Sequence, residues 1–145
     1  MTQVKSSFGT LLQLGDGGAP EAFTTVAEVG DISGPALSHD TEEVTNHSSP
    51  NGWEEFIATI GRSGEVTFPI NFIPTHATHD EITGLVQLAY TGVMKNWRIV
   101  LSATGRRWAF AAMVTNFEGD SAVVGKQGAS LTLKISGRPT LENAA

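Results

Sequence analysis

The sequence predicts a mainly β protein: an antiparallel β-sandwich or partly closed barrel with one short flanking α-helix. Three observations predict it. Ala129–Ser136 alternates strictly, with Leu131, Leu133 and Ile135 on one side and Ser130, Thr132, Lys134 and Ser136 on the other. Glu65–Phe72 repeats that rhythm through Val66, Phe68, Ile70 and Phe72. Sixteen glycines among 145 residues supply the turns an antiparallel chain requires.

Each element follows from its own pattern. Met1–Ser7 is polar and is expected to be flexible. Phe8–Leu14 predicts a short strand, and Gly15-Asp16-Gly17-Gly18-Ala19-Pro20 a turn. Phe23–Val29 alternates, placing Phe23, Thr25, Ala27 and Val29 on one side; Gly30, Gly34 and Pro35 close it. Residues 35–52 are polar, with only Leu37 and Val44 as larger apolar side chains, and read as a long exposed loop with room for a short strand at 41–45. Trp53–Ile60 and Glu65–Ile73 flank Gly61-Arg62-Ser63-Gly64 and predict a hairpin. Pro69 lacks an N–H and belongs at a sheet edge or a break in the ladder. Thr78–Thr91 predicts the helix: Thr78 and Glu81 have capping-box spacing, and Ile82, Leu85, Val86, Leu88 and Ala89 form an apolar stripe. Gly84 weakens it by about 1 kcal/mol relative to alanine, and Gly92 is its stop signal.

Asn96–Leu101 carries Trp97, Ile99 and Leu101 on one face. Thr104-Gly105-Arg106 turns the chain into Arg107–Phe117. There Trp108, Phe110, Ala112 and Val114 face one way, and Ala109, Ala111, Met113, Thr115 and Phe117 the other. Both faces are apolar or small, so both are expected to be covered. Residues 119–128 read as a second loop, and residues 138–145 as a flexible tail. The count is about seven strands and one helix, without repeats or linkers, in a single domain spanning residues 1–145.

Composition excludes several classes. Nine basic against fifteen acidic residues give a net charge of −6, the reverse of a nucleic-acid-binding footprint. There are no cysteines, which removes disulfides, thiolate chemistry and cysteine-based metal centres. Met1–Thr10 holds one lysine and no apolar centre, unlike a signal peptide, and no apolar run has bilayer-spanning length. Folding in the cytoplasm of the producing cell is expected. Only 17% of residues are charged, compatible with a surface partly given to neighbours.

Searches for chemistry end in bland readings. His76-x-x-His79-Asp80-Glu81 is the best metal candidate, with His39 and His47 elsewhere. His76, however, precedes the predicted helix, where Asp80 and Glu81 favour the dipole. Asp40, Glu42 and Glu43 lack an aromatic subsite, and no Gly-x-Ser-x-Gly elbow is present. Arg106, Arg107 and Arg138, with Lys95, Lys126 and Lys134, read as ion-pairing partners. Trp53, Phe68, Trp97, Trp108, Leu131, Leu133 and Ile135 are candidate core or interface anchors. No catalytic residue, metal ligand or cofactor is expected.

The ordered pieces Gly52-Trp53-Glu54-Glu55-Phe56-Ile57, Gly64-Glu65-Val66-Thr67-Phe68, Asn96-Trp97-Arg98-Ile99-Val100, Arg107-Trp108-Ala109-Phe110, Val114-Thr115-Asn116-Phe117-Glu118 and Ala129–Leu141 together carry a resemblance. From about Phe8 to Leu141 the chain resembles the tail tube (major tail) proteins of long, flexible-tailed bacteriophages. The resemblance implies a non-enzymatic virion protein, assembled in the host cytoplasm. Its six-membered rings would stack into a hollow tube, with inner-sheet strands joined into one barrel. It implies further tail partners: tape measure, tail tip and terminator. Double-stranded DNA would be a transient, non-specific cargo. Residues 35–52 would be the loop reaching the adjacent ring, through Asp40, Thr41, Glu42, Glu43, Asn46 and His47. Asp31, Asp40, Glu65, Glu118 and Asp120 are candidate lumen carboxylates. A terminator or completion ring, an injection-system tube and a carbohydrate-binding sandwich remain alternatives.

Overall fold

The computed structural model describes residues 3–101 and 103–143. Among them lie eight strands and one α-helix: β1 (Leu11–Gly15), β2 (Phe23–Thr25), β3 (Ser38–Glu43), β4 (Phe56–Arg62), β5 (Glu65–Asn71), α1 (Leu85–Thr91), β6 (Lys95–Leu101), β7 (Arg106–Ser121) and β8 (Gln127–Asn143). Six strands form one antiparallel sheet in the order β2-β1-β6-β7-β8-β5. β3 and β4 form a separate two-stranded sheet. The fold is mainly β with one short flanking helix, as the alternating patterns predict.

One face of the large sheet makes the core. Leu12, Trp97, Ile99, Phe110, Ala112, Val114, Leu131, Leu133 and Ile135 meet Val66, Phe68 and Ile70 there, under Leu85 and Leu88 of α1. Each fully buried large side chain contributes about 1.5–3 kcal/mol. The Trp97 indole N–H donates to the Ala112 carbonyl at 3.2 Å, so its one polar atom is satisfied. β5 is an edge strand, and Pro69 sits in it as expected. Its carbonyl accepts from Gly30 N–H at 2.8 Å, while Thr67 and Ser33 exchange backbone bonds of 2.9 Å. The chain thus covers its own β5 edge.

Several expectations are corrected. β4 does not pair with β5: it pairs with β3, and β5 pairs with β8 from Glu65↔Lys134 to Asn71↔Gly128. The apolar face of β5 has its complement in Leu131 and Leu133, which β4 cannot supply. Within residues 35–52 the short strand lies at Ser38–Glu43 rather than at 41–45, and the remainder is non-strand, mostly exposed chain ending in a 3-10 turn at Pro50–Gly52. The loop at 119–128 shrinks to a tip between Ser121 and Gln127, and the expected tail continues as strand to Asn143. The flexible-terminus expectation otherwise falls partly on residues 1, 2, 144 and 145, outside those described. Phe117 does not share a face with Met113. A register shift between Val114 and Asn116 turns it toward the core, edge-on to Phe72 at 5.3 Å. Only Phe23–Thr25 of the 23–29 segment is strand, and Val26, not Phe23, is buried.

The helix is half its predicted length, and neither Thr78 nor Glu81 forms the capping box. Residues 78–83 are held in turns instead. Ala27 N–H donates to Thr78 Oγ1 at 3.2 Å. Asp80 Oδ1 accepts from Thr83 N–H at 2.8 Å and Ile82 N–H at 3.2 Å, which holds its carboxyl below the usual carboxylate range. Gly84 is the helix N-cap, and a Cβ there would stand 2.3 Å from Asp80 N. Ile82 consequently leaves the stripe and is exposed. The αL residue Gly92 ends the helix as expected.

Candidate functional site

β3 and β4 project as an arm. They pair from Ser38↔Arg62 to Glu43↔Phe56, with a bulge between His39 and Thr41. Every residue of both strands is exposed. Asp40, Thr41, Glu42 and Glu43 lie on β3, while Asn46 and His47 lie in the connecting turn. That turn is organised by its own polar groups. Asn46 Oδ1 accepts Ser48 N–H at 2.8 Å, Ser49 Oγ accepts Asn46 N–H at 2.9 Å and donates to Glu55 Oε2 at 2.8 Å. Along the arm Val44, Trp53, Phe56, Ile57 and Ile60 are all exposed. Trp53, at 73% exposure, is not a core residue of this subunit.

The arm root is pinned. Arg62 grips the Asp40 carboxylate through Nε at 3.0 Å and Nη2 at 2.6 Å, which lowers the Asp40 pKa from its ordinary value. Ala36 N–H donates to the Ser63 carbonyl at 3.1 Å. The Ser63 hydroxyl, buried, donates to the Gly137 carbonyl at 2.9 Å and ties the arm to β8. Gly64 has φ +67°, and a Cβ there would meet Ala36 at 2.9 Å, so this turn needs glycine. Beside the root lies a groove of about 740 Å³, walled by Leu37, Trp108, Pro139 and Leu141 with His39 and Arg138.

The remaining candidates fall in distinct places. Phe68, Trp97, Leu131, Leu133 and Ile135 are buried in the core, whereas Trp108 is half-buried at the groove. Glu65 stands opposite Lys134, Glu118 opposite Ser130 and Asp120 opposite Gly128. All three carboxylates lie on the sheet face away from the core. Asp31 is exposed on the segment covering the β5 edge. The basic residues pair only in part: Arg107 bonds Glu142 at 2.9 Å, and Arg106 donates to the Leu141 and Glu142 carbonyls.

The histidine pair is not brought together with carboxylates. His79 is fully buried; its Nδ1 accepts Ile73 N–H at 3.1 Å and its Nε2–H donates to the Ala27 carbonyl at 2.7 Å. Both ring nitrogens are spent on backbone, so the residue fastens residues 27 and 73 together. Among the described residues, no group of three or more His, Cys, Asp or Glu side chains has metal-binding geometry. Sequence reasoning missed this pin, because its partners lie 6 and 52 positions away. It also missed Arg98, whose guanidinium lies 3.5 Å above the Phe23 ring centroid on the outer sheet face.

Comparison with solved structures places this architecture. The chain is similar to the tail of an empty gene transfer agent particle refined with C6 helical symmetry. That match has TM-score 0.74 and 19% identity, over 98% of this chain and 100% of that one. It is similar to a chain in the sheath–tube complex of an extracellular contractile injection system, at TM-score 0.74 and 16% identity over 99% and 94%. A chain of the sixfold-symmetrised anti-feeding prophage baseplate gives TM-score 0.70 at 10% identity, covering 99% of both. A comparison with curated proteins finds no match. The family model described as "Lambda phage tail tube protein, TTP" matches residues 9–142. The chain belongs to the lambda phage tail tube protein family.

Proposed function

We propose that this chain is the tube subunit of a long, flexible phage tail. Six copies close into a ring, rings stack into a hollow tube, and double-stranded DNA passes through it. Assembly takes place in the host cytoplasm, and the tube becomes part of the virion tail, in contact with tape measure, tail tip and terminator proteins. The carrying observation is the arm: a fully exposed ladder, flanked by exposed Val44 and Trp53 and bearing Phe56, Ile57 and Ile60, with no covering layer among the described residues. Such a surface is stable in water chiefly when another copy buries it. The sixfold symmetry stated for two of the similar assemblies supports the ring number.

Glu65, Glu118 and Asp120 share the sheet face away from the core, and in this reading that face lines the channel, with Asp31 near its border. Asp40 is committed to Arg62 and belongs to the arm instead. Six copies at −6 each carry −36 formal charges, which discourages phosphates from adhering to the wall. Negative-stain microscopy of concentrated purified protein tests the reading. Long hollow tubes are expected. Single rings that never stack indicate a terminator, and a persistently monomeric folded sample removes the tube role. A tube inside a contracting sheath is the second reading, favoured by the equal likeness to the injection-system chain. A sheath protein that binds the assembled tube distinguishes it.

A further inference from the structure

The β7–β8 tip is an odd turn. It holds Val123 and Val124 out in solvent, at 103% and 92% exposure. Turns favour Gly, Pro, Asn, Asp and Ser, and a β-branched apolar pair adds nothing to bending the chain. Local folding therefore gives no reason for these side chains. Behind them on β7 stand Glu118 and Asp120, with Lys126 across the turn, and none of the three is in a salt bridge among the described residues.

The groove at the arm root has complementary character. Leu37, Trp108, Pro139 and Leu141 give it apolar walls. Arg138 at its margin is exposed and pairs with no carboxylate among the described residues. Tip and groove belong to opposite parts of one hairpin. The tip joins Ser121 to Gln127, whereas Trp108 pairs with Leu141 near the open end.

Resting on the tube reading, we infer that the Val123–Val124 tip is a knob that seats in the arm-root groove of a copy in the next ring, with Glu118 or Asp120 reaching Arg138. The contact joins two different surfaces, so it repeats head to tail and leaves an open end for the next ring. That is the geometry that stacking requires, and it gives the tube a direction.

The absence of cysteine makes the test clean. A Val124→Cys/Leu37→Cys chain, assembled and treated with a short bis-maleimide, should give a covalent ladder running well beyond six subunits. Each single-cysteine chain should give none. A ladder ending at six places the contact within one ring and overturns the inference, as does cross-linking by Val124→Cys alone. A second experiment uses Val123→Ser/Val124→Ser, which should raise the critical concentration for tube growth at least tenfold, with an unchanged unfolding midpoint. Arg138→Glu should act in the same direction, and adding Glu118→Lys and Asp120→Lys to that chain should restore growth. Serine variants that polymerise like the parent overturn the knob while leaving the tube reading intact. A parent chain that forms no tubes removes both.

Discussion

β5 and β4 are strands of equal length, seven residues each, joined by only Ser63 and Gly64, and both are rich in apolar residues. Their fates differ. β5 alternates exposed and buried, with Val66, Phe68 and Ile70 locked against β8. β4 is exposed along its whole length, although it carries Phe56, Ile57 and Ile60. The difference is a second layer: the apolar side chains of β5 are buried in the core cluster, whereas β4, paired with β3, stays exposed along its length among the described residues. An apolar strand is thus a request for a partner, and the fold answers it internally for one arm of this turn only.

The contrast breaks most visibly in the body. Trp97→Ala removes the largest fully buried side chain and its hydrogen bond, and should cost about 3–5 kcal/mol in urea unfolding. His79→Leu strands the Ala27 carbonyl and Ile73 N–H, at about 1–3 kcal/mol for each unsatisfied group, again by denaturant titration. Gly84→Ala forces a Cβ against the Asp80 and His79 backbone and should cost about 1–3 kcal/mol, lowering the thermal midpoint. The arm should behave oppositely. Trp53→Ala should shift subunit stability by no more than about 0.5 kcal/mol while sharply reducing the yield of sedimentable tubes. Deleting residues 40–49 should likewise leave a folded subunit that polymerises poorly. Equal losses of stability in arm and body variants would erase the distinction.

The smallest effect is electrostatic and local. Arg62 depresses the Asp40 pKa, so the pair's contribution is complete above the ordinary carboxylate value of 3.8. It fades as pH falls below that value through the still lower folded pKa. Hydrogen exchange at the arm root should therefore accelerate in that acidic window in parent protein and not in Asp40→Asn, where the pair is already absent. Ionic strength should weaken the same contact, since both side chains are solvent-exposed.

Legibility from sequence follows the same division. Val66, Phe68, Ile70, Leu131, Leu133 and Ile135 declare their burial by a period of two, because a strand with one covered face must alternate. The β4–β5 hairpin misleads, since a two-residue link between apolar runs does not record which sheet each run joins. Phe117 misleads because a bulge resets the alternation, and nothing in Val114-Thr115-Asn116 marks it. The helical pattern overstates the helix because its first half meets Ala27 and Ile73, contacts that no local pattern encodes. On the arm, Trp53 is legible as a core or interface candidate by residue type, but its exposure depends on how many layers the arm receives. Val123 and Val124 read as ordinary loop residues in the sequence, and only the long hairpin places them at its apex.

The three tryptophans occupy three environments: one sealed in the core, one at a groove margin, one standing in water on the arm. Their fluorescence is therefore spatially coded. Acrylamide quenches the solvent-facing indole first, and covering it shifts that emission to shorter wavelength while the sealed indole stays constant. The protein thus carries an intrinsic optical gauge of whether the arm is covered, readable in real time without any label.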